Sequence, residues 1–167
     1  MIKFELISKI TIEFGILNKQ VIFQKAKLQD ADKIYDFETA YIREIEPENL
    51  DRWCKAAAKI RAQLEINIGK MFVAKVADDL AGHIYWDMHK NEPHIFSIYV
   101  SNPYRRMGIA KKLMGYAENE IQENGFKTCH LSTRYHNPAR HLFEAIGYQQ
   151  IGQENGWYHL EKLLQNE

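Results

Sequence analysis

The chain has 167 residues, 46% of them hydrophobic and 26% charged, with 22 Lys and Arg against 22 Asp and Glu. That length and balance build one globular domain with a sizeable core, and a formal net charge of zero leaves no global field to draw it onto nucleic acid or an anionic membrane. No stretch approaches the ~18 consecutive apolar residues that would span a bilayer, and Cys54 and Cys129 fit neither a metal spacing nor a disulfide framework, so a cytoplasmic protein with reduced thiols and no metal is expected.

Residues 1–20 alternate apolar and polar positions (Ile2, Phe4, Leu6; Ile10, Ile12, Phe14), which predicts a strand-like extension. Lys3, Glu5, Lys9 and Glu13 interrupt it and no small-residue cleavage site follows, so a signal peptide is not expected. From residue 21 to 167 a single domain is expected. Val21 and Phe23 begin a strand. "LQDADKIYDFETAYI" predicts a helix capped by Asp30, with Ile34, Phe37 and Tyr41 on one face. After Pro47, "ENLDRWCKAAAKIRAQLEINIG" predicts a second helix ending near Gly69.

The periodicity then shortens. "KMFVAKVADD" and "LAGHIYWDMHKN" read as strands joined at Asp78-Asp79, and "PHIFSIYVS" as a central strand, apolar on both faces. Residues 106–124 carry Ile109, Leu113, Tyr116, Ala117 and Ile121 at helical spacing, stopped by Gly125. "KTCHLST" is a buried strand. Asn137 and Pro138 open a short helix that runs to Gly147, and "YQQIG" and "GWYHLEKL" pair around Asn155-Gly156. The order describes a mixed α/β domain in which a largely antiparallel meander feeds one crossover helix.

The most informative stretch is "NPYRRMGIAKKL", residues 102–113, where a strand ends and that helix begins. The free N–H groups of a first helical turn, with the positive end of the helix dipole, bind anions. Gly108 and Ala110 would let a phosphate approach the backbone, and Arg105, Arg106, Lys111 and Lys112 add positive charge. An ordinary helix start with a solvated basic surface would read the same way.

Context favours the cradle. Arg105-Arg106-Met107-Gly108-Ile109-Ala110, led in by Val100-Ser101-Asn102-Pro103-Tyr104, resembles the acetyl-CoA signature of the GCN5-related N-acetyltransferase (GNAT) superfamily. "NPARHLFEAIGY", Asn137 to Tyr148, is similar to the family's second motif and follows in the right order. The resemblance covers residues 21–163. It implies an α/β fold whose mostly antiparallel central sheet is splayed at the cofactor site and flanked by helices. It also implies direct transfer of the acetyl group of acetyl-CoA to a primary amine, without an acyl-enzyme.

On that resemblance the backbone of Ile98, Tyr99 and Val100 would hold the pantetheine. Arg105, Arg106, Met107, Gly108, Ile109, Ala110 and Lys111 would cradle the pyrophosphate, with Asn137, Arg140 and Phe143 on the cofactor's other side. Such chemistry needs a base for an ammonium of pKa near ~10.4, a donor to the oxyanion and a proton for the departing thiolate. Glu92, at the start of the central strand, is the expected base, with His94, Glu44 and Glu46 as alternatives. The family's usual tyrosine acid falls on Phe143, which has no proton to give. Tyr104 is the expected replacement, ahead of Tyr135, Tyr148 and His141.

The segment "ETAYIREIEPENLDRW" presents Glu38, Glu44, Glu46, Glu48 and Asp51 against Arg43 and Arg52, an acidic rim expected to favour a cationic small molecule or peptide amine. Trp53, Trp86, His83 and Tyr85 are candidates to line the acceptor pocket. The competing reading, supported by Phe143, is an acyl-CoA-binding sensor or partner module with little turnover. A homodimer is expected by analogy with the family, and no nucleic-acid or membrane partner.

Overall fold

The computed structural model describes residues 20–164. Its strands are β1 (Val21–Lys25), β2 (Met71–Val76), β3 (Asp79–His89), β4 (Glu92–Val100), β5 (Thr128–Arg134), β6 (Gln149–Glu154) and β7 (Trp157–Leu163). They form one seven-stranded sheet in the order β1-β2-β3-β4-β5-β7-β6. Every neighbouring pair is antiparallel except β4 and β5. The helices are α1 (Ala31–Ile45), α2 (Leu50–Lys55), α3 (Ala57–Asn67), α4 (Ile109–Glu123) and α5 (Arg140–Ala145). The expected extension over residues 1–20 lies, except for its last residue, outside the described residues.

A parallel pair needs a crossover, and α4 supplies it. Ile109, Leu113, Met114, Ala117 and Ile121 turn inward and are buried against Phe72, Ile84, Ile95 and Leu131 on one face of the sheet. Met114 takes the inward place expected for Tyr116, whose ring lies outside and stacks on Phe23 at 5.4 Å. The other face is covered by α1, where Ile34 and Phe37 pack on Met71, Val73, Leu80 and Tyr99.

The expected second helix is broken. Ala56, at φ −93° and ψ 7°, ends α2 before α3 begins. The Trp53 indole N–H donates to Thr39 Oγ at 2.9 Å and its ring stacks on Tyr35, so α2 is tied to α1, a contact that no helical period announces. The β2–β3 turn falls on Ala77-Asp78, one residue earlier than expected, with Ala77 at φ 56°. Asn137 does not cap the helix: its Oδ1 accepts the Ala139 N–H at 2.9 Å within a turn, and α5 starts at Arg140 with Ala139 at its N-cap position.

Candidate active site

Strands β4 and β5 are paired only at His94–His130 and Ile95–Leu131. Beyond them the strands part. On its other side β4 pairs Trp86 with Ile95 and Tyr85 with Ser97, so Phe96 is an extra residue, a bulge that bends the strand where it leaves its parallel neighbour. The cleft so opened is lined by Ser97 and Ile98 of β4, Thr133 of β5, Asn137, Ala139, Phe143, and Glu38 and Tyr41 of α1. A splay leaves strand N–H and C=O groups without ladder partners, which is what an extended amide-bearing chain such as pantetheine requires.

At the C-terminal end of β4 the chain turns through Asn102–Tyr104 into the cradle. Arg106 and Gly108 both take left-handed conformations, φ 68° and 74°, on either side of Met107. Alternation of this kind turns successive N–H groups toward one side as an anion-binding concavity. A Cβ on Gly108 would meet nothing within 4 Å, so the space over the start of α4 is open. The residues present therefore fit a phosphate group. Arg105 points away from that space, its Nε donating to the Val100 carbonyl and its Nη2 to Glu44, both at 2.8 Å. It ties the cradle to β4 and α1 instead of reaching for the anion.

Within the cleft, Glu38 Oε1 accepts from Ser97 Oγ and from His83 Nε2, the latter at 2.6 Å. A carboxylate only accepts, so Nε2 carries the proton. His83 is fully buried and stacks on Phe37, and its Nδ1 has no partner among the described residues. A serine nucleophile needs a bare imidazole nitrogen facing it and a carboxylate on the opposite nitrogen; here serine and carboxylate share Nε2. The cluster holds Glu38 in place and is not an acyl-enzyme triad. Asn137 reaches Tyr41 from across the cleft; burial, then Glu46 and Glu38, push the Tyr41 hydroxyl up while the Asn137 hydrogen bond pulls the other way.

The expected catalytic residues lie elsewhere. Glu92 is the first residue of β4, in the β3–β4 hairpin, its side chain exposed and 3.4 Å from His130. It is on the closed side of the β4–β5 junction, four residues or about 13 Å of strand from Phe96. Tyr104 aims its hydroxyl at Asp79, the first residue of β3, 3.4 Å away. Neither lines the cleft. Glu44 is occupied by Arg105 and by the Tyr99 hydroxyl, which burial and this carboxylate push up to about 12. Of the alternative acids, Tyr148 is buried beside Cys129 and Glu118, the exposed Tyr135 ring meets Tyr158 at a tilt, and His141 is exposed on α5. Phe143 does line the cleft, with Asn137, while Arg140 sits at the start of α5 with its Nε on Glu144. Sequence reading counted Glu38 only as rim acidity and Tyr41 only as helix face. The spacing of three between them could have flagged a shared polar edge on α1.

A larger cavity, about 600 Å³, opens between α1, α2, α3 and the sheet. Trp53 and Tyr85 line it as expected, whereas Trp86 donates its indole N–H to Glu120 on the opposite face and His83 is in the core. Phe96 borders both this cavity and the cleft. Four of the five rim carboxylates are in ion pairs, Glu44 with Arg105, Glu46 and Glu48 with the one Arg134, and Asp51 with Lys55, while Glu38 is held by His83 and Ser97.

A mixed sheet splayed between β4 and β5, with a left-handed cradle leading into a crossover helix, defines an acyl-CoA N-acyltransferase architecture. Residues 41–159 match the acetyltransferase (GNAT) domain, and the chain belongs to that family. It is 31% identical over 68 residues to the ribosomal protein bS18-alanine N-acetyltransferase of Haemophilus influenzae, covering 41% of this chain and 47% of the relative. The match thus spans about half the length of that curated relative. The fold is also that of PaiA N-acetyltransferase from Thermoplasma acidophilum in complex with coenzyme A (TM-score 0.76, 16% identity, 86% of this chain and 99% of that one). The ribosomal-protein-S18-alanine N-acetyltransferase of Escherichia coli is similar too (TM-score 0.65, 16% identity, 89% and 96%). Among the described residues, no group of three or more His, Cys, Asp or Glu could hold a metal ion, and no helix is long and apolar enough to cross a membrane.

Proposed function

We propose that the chain transfers the acetyl group of acetyl-CoA directly to a primary amine. The observation that carries this reading is the parting of β4 from β5 at Phe96, which opens a cleft along the strand that leads into the Gly108 cradle. Backbone N–H groups from Arg106 to Lys111 hold the pyrophosphate, and Ile98 to Val100 hold the pantetheine by strand-like hydrogen bonds. Asn137, Arg140 and Phe143 close the far side.

Glu38 is the base in place of Glu92. It is fixed by Ser97 and His83 at the cleft beside Phe96, where an amine entering from the larger cavity would arrive. The ammonium loses its proton to Glu38, directly or through one water, and the free amine attacks the thioester carbonyl. A β4 backbone N–H freed by the splay faces the oxyanion. Tyr41 donates a hydrogen bond to the departing thiolate from the cleft wall that faces Phe143, so the missing phenol at 143 has a substitute on α1. A peptide amine is the acceptor type that the named relatives suggest. The cationic acceptor expected from the rim has less support, because Glu44, Glu46, Glu48 and Asp51 are already in ion pairs.

The test is acetyl-CoA-dependent thiol release against a panel of amines, with acetyl-CoA binding measured on the same sample and Gly108→Glu as control. Turnover that is lost together with binding in the control supports the reading. Binding without turnover supports the sensor alternative, and absence of binding by folded protein overturns both.

A further inference from the structure

The 600 Å³ cavity is of a size that encloses a small ligand. Its walls are apolar or aromatic: Ile42, Trp53, Ile60, Leu64, Met71 and Phe96. Among the described residues its single carboxylate is Glu46, which is buried and already holds Arg134 at 2.9 Å and the Asn49 amide at 2.8 Å. Arg52 and Lys59, both exposed, stand at its rim, and neither forms an ion pair among the described residues, although Lys55 beside them is paired with Asp51. The cavity therefore presents apolar surface and two cations without an ion-pair partner at its rim, and Phe96 borders both it and the cleft that holds Glu38.

Resting on the transferase reading above, we propose that the acceptor is a small primary amine on an apolar body that also carries an anionic group, as in a hydrophobic amino acid. The amine points past Phe96 to Glu38, and the anion is held by Arg52 and Lys59. A polyamine would bring cations toward two cations and find no free carboxylate in the cavity. An uncharged apolar amine would fill the walls but leave the two cations without a partner.

The experiment measures binding by calorimetry in the presence of CoA, and thiol release with acetyl-CoA. The probes are L-leucine, L-phenylalanine and 6-aminohexanoate, each beside its own carboxamide, together with spermidine and a hexapeptide with a free N-terminus and an amidated C-terminus. At least one carboxylate probe should bind about tenfold or more tighter than its amide, the range of a charge-assisted hydrogen bond. That preference should vanish in the Arg52→Gln/Lys59→Gln double variant while acetyl-CoA affinity stays within twofold. Equal binding of acid and amide, no binding of either, a preference that survives the double variant, or tighter binding of spermidine or the hexapeptide would each overturn the proposal. Loss of acetyl-CoA binding by wild-type protein would instead sink the transferase reading, so the two failures are distinguishable.

Discussion

The carbonyl oxygen of Tyr99 stands where a side chain on Gly82 would have to go: a Cβ there would lie 2.6 Å from it and 3.1 Å from a Val100 methyl. Gly82 pairs with Val100 at the last rung of β3 and β4, immediately before the cradle. The absence of a side chain on β3 thus lets the end of β4 close on its neighbour at the point where it must open toward β5. Gly82→Ala should cost ~1–3 kcal/mol by overpacking and should weaken acetyl-CoA binding. Gly115→Ala, on α4 where a Cβ meets nothing within 4 Å, should gain ~0.5–1 kcal/mol. Urea unfolding of both variants, with calorimetric titration of acetyl-CoA, checks the contrast; equal stability of the two would refute it.

Removing the charge of Glu38 isolates the base. Glu38→Gln keeps an acceptor oxygen for Ser97 and His83 but cannot take a proton at neutral pH. The expected result is a fall in kcat of about 10²–10⁴ with acetyl-CoA affinity nearly unchanged. Glu92→Gln, altered at the exposed hairpin, should retain activity within about threefold. The reverse ranking in steady-state kinetics would return the base to Glu92.

A hydroxyl moved across the cleft tests the proton donor. Tyr41→Phe should lower kcat by roughly a hundredfold or more, within the range of general-acid effects, without loss of CoA binding. Adding Phe143→Tyr to that variant should restore part of the loss, because position 143 lines the same cleft as Tyr41. Full activity in Tyr41→Phe would show that no side chain is needed for the leaving thiolate.

Acid stability should depend on His94. Burial, reinforced by His89, His130 and His159, lowers its pKa from 6.5 to about 4. Between these values the unfolded chain binds the proton and the folded chain does not, so stability falls as pH drops from 6.5 toward 4. Above 6.5 both states are neutral and the contribution is flat. His94→Gln should lose less of its urea midpoint between pH 6.5 and 4.5 than wild-type protein; parallel losses would remove His94 as the cause.

The element order of the described residues, the central place of β4, the crossover helix and the Gly108 cradle are all written in local chemistry. Alternation marks the strands, a 3.6-residue stripe marks α4, and glycine stands where φ must be positive. The family followed from the same cradle and from the second motif after it. The groups proposed to handle protons were not legible, because they are defined by contacts across the fold. Glu38 meets His83 and Ser97 only because α1 lies across β3 and β4. Glu92 looked well placed on its strand, yet the bulge and the splay both come after it, on the far side of the His94–His130 rung. The rim looked acidic because its partners, Arg105 and Arg134, come from distant segments. Charge in a sequence is counted residue by residue, whereas charge at a site is what remains after the fold has paired it.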